Sequence, residues 1–126
     1  MIWRFLPLSA FAAIAALGLT AGGFPVSPFP TGSQIFTVTA YCPCPRCCGK
    51  WSGGPTASGA MPRQGVTCAA PRRIPFGARL WIQGLGWRTV QDRLAPRFDN
   101  RVDVYFADHR EAVRFGKRTL KVWRSQ

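Results

Sequence analysis

The chain lacks a basic run, a long apolar stretch and a cysteine near its N-terminus, and each absence argues against a class of protein. Its seventeen Lys and Arg residues are scattered, which argues against a nucleic-acid-binding motif. Its apolar stretch, residues 5–19, has fifteen residues, whereas a membrane-spanning helix needs about 20. No cysteine lies close to residue 23, so a lipid-modified N-terminus is not expected.

The first 33 residues have the composition of an export signal followed by a linker. Arg4 precedes the apolar stretch and small residues follow it at positions 20–23, which is typical of a signal peptide covering residues 1–23. An uncleaved N-terminal anchor is the alternative, and both predict an exported protein that is periplasmic, held at the cell wall or secreted. Residues 24–33 contain three prolines and no charge and predict a stiff linker, which leaves residues 34–126 as one domain.

Acidic side chains are scarce, because five Asp and Glu residues oppose seventeen Lys and Arg residues. Without residues 1–23, whose one charged side chain is Arg4, the balance is sixteen to five, a net charge of +11. Such a charge predicts an anionic partner. For an exported protein the candidates are cell-wall polymers and membrane surfaces rather than nucleic acid. The sequence does not indicate an oligomeric state.

Four of the five cysteines fall within seven positions, Cys42, Cys44, Cys47 and Cys48, while Cys68 stands apart. An oxidising compartment favours disulfides among these five residues, and their odd number leaves at least one thiol unpaired. A metal site is the weaker alternative, because the C-x-x-C pair has no second pair at zinc-ribbon spacing and no nearby histidine. The sequence therefore predicts neither a bound metal nor another cofactor.

Six short segments have the composition of strands, and one has the composition of a helix. The strands are predicted at residues 35–40, 66–69, 79–82, 87–91, 102–106 and 118–123. Asp108 and Glu111 match a capping box and Gly116 is a stop, which predicts a short helix before the last strand. Residues 41–65 are dense in Cys, Pro and Gly and predict a functional loop without regular elements. Together these patterns favour an all-β barrel.

Asp103 lies in the middle of a predicted strand, where Asp is one of the least favoured residues. Asp92 closes the preceding strand eleven positions earlier, and a loop that returns the chain beside itself brings both carboxylates into one cleft. A carboxylate pair in unequal environments can keep one acid protonated near neutral pH. Asp99 is interpreted as a turn residue. His109 is expected to be exposed or packed rather than to act as a base.

Five short motifs follow one another in a characteristic order over residues 36–123. They are VTAY (38–41), TASG (56–59), PRRIPFG (71–77), NRVDVYF (100–106, preceded by Asp92) and HREAVRFG (109–116). In order and spacing they resemble the bacterial 3D domain, a family named for three aspartates and related to the catalytic domain of membrane-bound lytic transglycosylase A. The resemblance implies a six-stranded double-psi β-barrel and action on the glycan strands of peptidoglycan.

The activity implied by this resemblance is cleavage between N-acetylmuramic acid and N-acetylglucosamine without water, which leaves a 1,6-anhydromuramoyl end. The resemblance identifies Asp103 as the single general acid and base, and Asp92 as a second aspartate that orients Asp103 or disfavours its ionisation. Thr39, Tyr41 and Thr56 occupy family positions near the cleft and are expected to bind sugar.

The sequence departs from the family pattern at two places. Ala70 stands where the family has its first aspartate, and RLAPRFD (93–99) replaces a glycine-rich loop after the second. The alternative function is therefore a catalytically silent barrel that binds glycan or docks on a partner enzyme. A cysteine-dependent metal or redox module is a third interpretation.

Overall fold

The computed structural model describes residues 32–126, in which six strands and two short helices form the regular structure. The strands are β1 (Gln34–Tyr41), β2 (Thr67–Ala70), β3 (Arg79–Ile82), β4 (Gly86–Arg93), β5 (Arg101–Tyr105) and β6 (Arg118–Arg124). The helices are α1 (Pro45–Cys48) and α2 (His109–Phe115), and a 3₁₀ turn covers Gly49–Trp51. The predicted signal peptide and the linker as far as residue 31 lie outside the described residues, so the predicted domain boundaries stay a prediction.

The strands close into a mixed barrel in the order β1-β5-β2-β4-β3-β6. Two neighbouring pairs, β1 with β5 and β2 with β4, run parallel, and the other four pairs are antiparallel. The predicted six-stranded all-β barrel, with a short helix before its last strand, is confirmed. Because the carboxyl ends of parallel strands meet at one edge, the segments that follow β1 and β5 begin side by side.

Alternate residues of each strand build the core, since successive side chains in a strand point to opposite faces. Val102 and Val104 of β5 are fully buried, whereas Asp103 between them faces the other side. Each fully buried Val or Leu side chain stabilises the fold by about 1.5–3 kcal/mol. The core residues are Phe36, Val38, Cys68, Ala70, Ile74, Leu80, Ile82, Val90, Val102, Val104, Phe115 and Val122.

Helix α2 begins and ends as its sequence predicts. The carboxylate of Asp108 accepts hydrogen bonds from the backbone N–H groups of Arg110 (2.7 Å) and Glu111 (3.1 Å), which otherwise have no partner within the helix. The helix ends at Gly116, whose φ of 65° is a conformation that side chains disfavour. Nowhere in residues 32–126 is there a helix with the length and apolarity needed to cross a membrane.

The expectation that residues 41–65 contain no regular element is wrong at one place. Pro45 sits at the first position of α1, where its missing N–H costs no hydrogen bond. The backbone N–H groups of Cys47 (3.1 Å) and Cys48 (2.9 Å) both donate to the carbonyl of Cys44, which closes the helical turn. The 3₁₀ turn follows directly. These two turns hold the cysteines in a compact arrangement.

Candidate functional site

A cleft of about 830 Å³ opens on the strand faces that point away from the barrel core. Its floor comes from four strands, β1, β2, β4 and β5. The floor residues that matter for its chemistry are Tyr41, Ala69, Asp92, Asp103 and Tyr105. One wall comes from the loop after β1, which contributes Cys47, Cys48, Trp51 and Thr56. The predicted common cleft for Asp92 and Asp103 is therefore present.

The strand register places the two aspartates on either side of Ala69. Asp103 of β5 is opposite Ala69 in one strand pair, and Asp92 of β4 is opposite Ala69 in the other. The register of β4 shifts by one residue between Cys68 and Ala69 of β2. Without this bulge Asp92 would align with Ala70, whose side chain lies in the core. The bulge thus directs Asp92 to the cleft, and the small Ala69 leaves the floor open.

Asp103 is a largely buried carboxyl group with one side-chain hydrogen bond, from the hydroxyl of Thr39 (3.1 Å). Thr39 is its direct neighbour on β1 in the parallel pair. Burial raises the pKa of Asp103 to about 6, the hydrogen bond from Thr39 and the charge of Arg101 oppose this rise, and the charge of Asp92 adds to it. Asp103 can therefore hold a proton near neutral pH and release it in the same range.

Asp92 is held in place by three donors. Its carboxylate accepts hydrogen bonds from the hydroxyl of Tyr41 (3.0 Å) and from the backbone N–H groups of Ala57 (3.1 Å) and Arg93 (2.8 Å). Ala57 belongs to the TASG turn, and the next residue, Ser58, donates its N–H to the carbonyl of Gln91 on β4 (3.1 Å). The turn thereby docks on the strand that carries Asp92. Asp92 is a fixed negative charge beside Asp103.

Tyr41 connects the two sides of the floor. Burial, followed by the charge of Asp92 and the hydrogen bond to it, raises the pKa of Tyr41 well above its usual value, so its hydroxyl stays protonated and donates to Asp92. Its ring packs edge-on against Tyr105, with 5.4 Å between the ring centres and 70° between the planes. Two of the expected sugar-binding residues, Thr39 and Tyr41, thus contact the two aspartates directly.

Thr56 and Asp99 have structural partners. The Thr56 side chain is buried at the cleft wall, and its hydroxyl donates to the carbonyl of Ala60 (2.8 Å), which closes the TASG turn. Asp99 lies in an exposed turn outside the cleft and pairs with Arg73 at 3.5 Å. The interpretation of Asp99 as a turn residue agrees with this position. The expectation that Thr56 binds sugar stays a prediction.

The two departures from the family pattern have different positions. Ala70 is fully buried in the barrel core, on the opposite face of β2 from the cleft. The loop after β4 reaches the cleft, where Leu94 packs beside the two tyrosines. The Arg93 guanidinium ties this loop to the preceding segment through the carbonyls of Ala70 (3.1 Å), Pro71 (2.6 Å) and Ile74 (2.7 Å). The replacement loop therefore adds an apolar wall to the cleft.

Trp51 is a cleft residue that sequence reasoning missed. Its side chain is 71% exposed and lines the cleft from the end of the 3₁₀ turn. An exposed aromatic ring at a cleft edge is a surface on which a sugar ring can stack. The sequence signal was a lone tryptophan among small and polar residues in a Cys-Pro-Gly-rich loop, and nothing in that pattern indicates which way the ring faces.

The cysteines are free thiols, and three of them meet the one histidine. The Sγ atoms of Cys42, Cys44 and Cys47 and the Nδ1 atom of His109 all lie within 4.8 Å of one another. The predicted disulfides are not seen in residues 32–126. The Sγ atom of Cys42 lies 2.9 Å from that of Cys44 and 3.4 Å from that of Cys47, whereas a disulfide bond is about 2.05 Å long. The premise that no histidine lies near the cysteines is wrong.

Cys48 and Cys68 lie apart from this group of four. The Cys48 thiol donates to the carbonyl of Cys42 (3.1 Å), and Cys68 is buried in the barrel core. The hydrogen bond from Cys42, together with bonds from nearby backbone N–H groups, lowers the pKa of Cys44 to about 6. Burial raises the pKa of Cys42 to about 12. The thiols are thus chemically unequal.

Comparison with known proteins finds a distant similarity. No protein-family model matches the chain. The chain is similar to a protein of Bacillus subtilis (strain 168) that carries the name "Putative cell wall shaping protein YabE", with 28% identity over 93 residues. The match covers 71% of this chain and 22% of that protein, so the chain spans about a fifth of its relative's length.

Proposed function

We propose that this chain is an exported cell-wall protein that cleaves peptidoglycan as a lytic transglycosylase, with Asp103 as its general acid and base. The observation that carries the proposal is the largely buried Asp103 carboxyl group, which lies in a cleft beside a second carboxylate, Asp92, that three hydrogen bonds hold in place. The name of the Bacillus subtilis relative supports a role at the cell wall. The motif order described above supports the specific reaction.

The reaction needs one group that first gives and then takes a proton. Protonated Asp103 donates its proton to the glycosidic oxygen, and the bond from that oxygen to C1 of N-acetylmuramic acid breaks. The C6 hydroxyl of the same sugar then attacks C1, and its proton passes to the Asp103 carboxylate. The product has a 1,6-anhydro ring, the acid is restored, and no water is consumed. A pKa of about 6 makes both steps accessible near neutral pH.

Asp92 and Tyr41 are proposed as positioning residues. Asp92 accepts three hydrogen bonds and adds a negative charge near Asp103, and this charge raises the pKa of Asp103. Retaining hydrolases instead need their second carboxylate free to attack the sugar. Asp92 is tied to Tyr41 and to two backbone N–H groups, which supports an electrostatic role rather than a nucleophilic one.

The cleft has room for sugar and surfaces to bind it. Its volume of about 830 Å³ lies within the usual range for binding sites of about 300–1,000 Å³. Trp51 in the wall and Tyr105 in the floor both line it and present rings against which sugars can pack. The net charge of +11 for residues 24–126 supports binding to the anionic polymers of the wall.

A silent glycan-binding barrel is the second candidate, and the alanine at position 70 favours it. Two observations favour the enzyme. Ala70 points into the core, so the aspartates of the cleft do not depend on a carboxylate there. A binding module also has no need of a buried carboxyl group in mid-strand, where the charge is costly.

The test uses the purified protein, intact peptidoglycan and mass analysis of the soluble fragments. The unmodified protein should release fragments that end in 1,6-anhydro-N-acetylmuramic acid. The Asp103→Asn variant should release at least about 100-fold less, because loss of general acid–base catalysis costs about 10²–10⁴ in rate. The Asp99→Asn variant is the matched control and should retain full activity. Wall binding without fragments from the unmodified protein would support the silent barrel instead.

A further inference from the structure

The three thiols and the imidazole of Cys42, Cys44, Cys47 and His109, hereafter the cysteine–histidine cluster, have the composition of a metal site. The Nδ1 atom of His109 lies 3.3 Å from the Sγ atoms of both Cys42 and Cys44, and 3.9 Å from that of Cys47. Cys42 and Cys47 are 3.4 Å apart at their Sγ atoms. With Zn–S bonds of about 2.3 Å, tetrahedral ligand atoms lie about 3.8 Å apart. The 2.9 Å between the Sγ atoms of Cys42 and Cys44 is about 0.9 Å short of this spacing, and the other four separations lie within about 0.5 Å of it.

We propose that the cysteine–histidine cluster binds one Zn²⁺ ion as a closed structural site with three sulfur ligands and one nitrogen ligand. On binding, the protons that the three cysteines still hold pass to solvent, and all three sulfur atoms coordinate as thiolates. Thiolate and imidazole ligands together favour zinc among the common divalent ions. Four protein ligands leave no open position, so the ion does not take part in peptidoglycan cleavage.

The fold explains why these four residues converge. Cys42 follows directly on β1, and His109 begins the helix that follows β5. Because β1 and β5 are parallel neighbours, both segments leave the barrel at the same edge. The N–H of Phe106 donates to the carbonyl of Tyr41 (2.8 Å), which holds the two exits together. The helical turn of α1 then brings Cys47 back beside Cys42 and His109.

Competing occupants fit the cluster less well. A disulfide uses two of the sulfur atoms and leaves a third thiol and the imidazole without a role. An iron–sulfur cluster needs its ligands spread around several iron atoms, whereas these four ligand atoms lie within 4.8 Å of one another. One small ion bound by all four ligands uses every member of the set.

The site is placed to hold one wall of the cleft. Cys47 belongs both to the cysteine–histidine cluster and to the cleft lining, and Cys48 and Trp51 follow it in the wall. The ion would join this wall, which follows β1, to His109, the first residue of α2, which follows β5. The proposal does not depend on the cleavage proposed above, since its first readout is bound metal.

The first experiment measures metal in the full chain, purified under reducing conditions. We expect about one zinc per chain, and X-ray absorption should show sulfur ligands at about 2.3 Å and one nitrogen ligand at about 2.0–2.1 Å. Replacement by Co²⁺ should give the absorption bands of tetrahedral thiolate coordination. Absence of zinc would overturn the proposal. A second contradicting result would come from protein purified without reductant and denatured with a chelator: a mass lower than that of the fully reduced chain by two hydrogen atoms, which shows a disulfide.

Variants assign the ligands. His109→Ala and Cys47→Ser should each lower zinc content and Co²⁺ affinity at least tenfold, while Cys48→Ser, the matched control beside Cys47, should keep one zinc. Circular dichroism shows whether each variant still folds into the barrel. If one of the two ligand variants does not fold, Cys44→Ser takes its place in the Co²⁺ titration. Full zinc content in His109→Ala with an unchanged absorption spectrum would overturn the assignment.

A further comparison separates the metal site from the active site. Asp103→Asn should keep one zinc per chain, whereas the zinc-free protein should release fewer peptidoglycan fragments because its cleft wall is less ordered. Zinc in an inactive protein would leave this site standing and contradict the proposed cleavage alone. A protein that cleaves peptidoglycan but contains no zinc would contradict the zinc site and leave the proposed cleavage standing.

Discussion

Asp103 and Asp99 are four residues apart in the sequence and have opposite surroundings. Asp103 is enclosed in the cleft with Thr39 as its hydrogen-bonding partner. The Asp99 side chain is 81% exposed and has a surface cation beside it. Burial, rather than residue type, is what shifts the pKa of Asp103 toward neutrality. The candidate acid is therefore identified by its surroundings.

The Asp103→Asn variant should be more stable than the unmodified protein at pH 7. The pKa of Asp103 rises from 3.8 to about 6 on folding, so the folded state binds its proton more tightly and stability falls as the pH rises through this window. Each unit corresponds to about 1.4 kcal/mol, so Asn should add at most about 3 kcal/mol at pH 7. Denaturant unfolding at pH 7 and pH 4 measures this difference.

The difference between the two proteins should shrink at pH 4, where Asp103 is protonated in the folded state. Asp99→Asn, whose carboxylate is exposed, should show no comparable gain at either pH. An Asp103→Asn variant that is less stable than the unmodified protein at pH 7 would show that the carboxylate is favourably solvated and would remove the basis for its raised pKa.

Tyr41→Phe should weaken the support of Asp92 without removing the acid. The variant loses the hydroxyl that donates to Asp92, and a hydrogen bond to a charged group is worth about 1.5–3 kcal/mol. We expect about a tenfold lower kcat, a smaller change in KM and a shifted pH profile, because Asp92 acts through Asp103. Kinetics of fragment release measure all three.

The matched control for Tyr41→Phe is Tyr105→Phe, which removes a hydroxyl from the neighbouring ring of the same cleft face. That variant should leave the pH profile unchanged. Equal effects of the two substitutions on kcat and on the pH profile would mean that the bond from Tyr41 to Asp92 has no special role.

Sequence reasoning singled out Asp103 as an acid in the middle of an alternating strand pattern, and Asp92 as the residue that closes the preceding strand. It did not find the backbone N–H of Ala57 as a partner of Asp92, because that bond depends on how the TASG turn docks on β4. It did not find that the hydroxyl of Thr56 closes its own turn, and the expectation that Thr56 binds sugar stays a prediction. Backbone hydrogen bonds between distant segments leave no mark in a local pattern.

At the scale of elements, the bulge in β4 decides which face Asp92 occupies. A one-residue shift in register moves a side chain from one face of a strand to the other. Val90 stays in the core beside Cys68, and two residues later Asp92 pairs with Ala69 on the cleft side. The bulge is therefore as much a part of the candidate site as the side chains, and local sequence gave no signal for it.

Asp108→Ala should destabilise the fold by about 1 kcal/mol, the usual effect of removing a helix N-cap. The substitution leaves the N–H groups of Arg110 and Glu111 without their acceptor at the start of α2. Denaturant unfolding provides the measurement. Asp108→Asn, which keeps an acceptor oxygen, is the control and should cost no more than a few tenths of a kcal/mol. Equal losses in the two variants would contradict the capping role.

The strands were predictable within two residues at every end, because their alternation is strong and turns separate them. His109, the partner of the cysteines, could not be predicted. His109 is 62 residues from Cys47 in the sequence, and it becomes a neighbour only because β1 and β5 pair in parallel. A prediction of that pairing would have been needed to place the end of β1 beside the start of α2.

At the scale of the molecule, the charge is strongly one-sided. Residues 32–126 contain all five acidic side chains and sixteen basic ones. A single salt bridge, between Arg73 and Asp99, is found in this part of the chain. Most of the positive charge is therefore available to an anionic surface, while Asp103 lies in a cleft that also holds Asp92.

Binding to the cell wall should weaken strongly as sodium chloride is added, because exposed charges are screened by salt. Sedimentation of the protein with purified walls, over a range of salt concentrations, measures this effect. Asp103→Asn should bind at least as well as the unmodified protein, since one negative charge is removed. Binding that does not change with salt would show that the net charge does not hold the protein to the wall.

The most direct test of the central claim is peptidoglycan cleavage in water enriched in heavy oxygen. Cleavage by Asp103 without water predicts fragments that are lighter than hydrolysis products by one water molecule and carry no heavy oxygen at the new muramoyl end. These fragments should be absent with Asp103→Asn. New reducing ends labelled with heavy oxygen would show that water attacks the sugar, and would contradict the account.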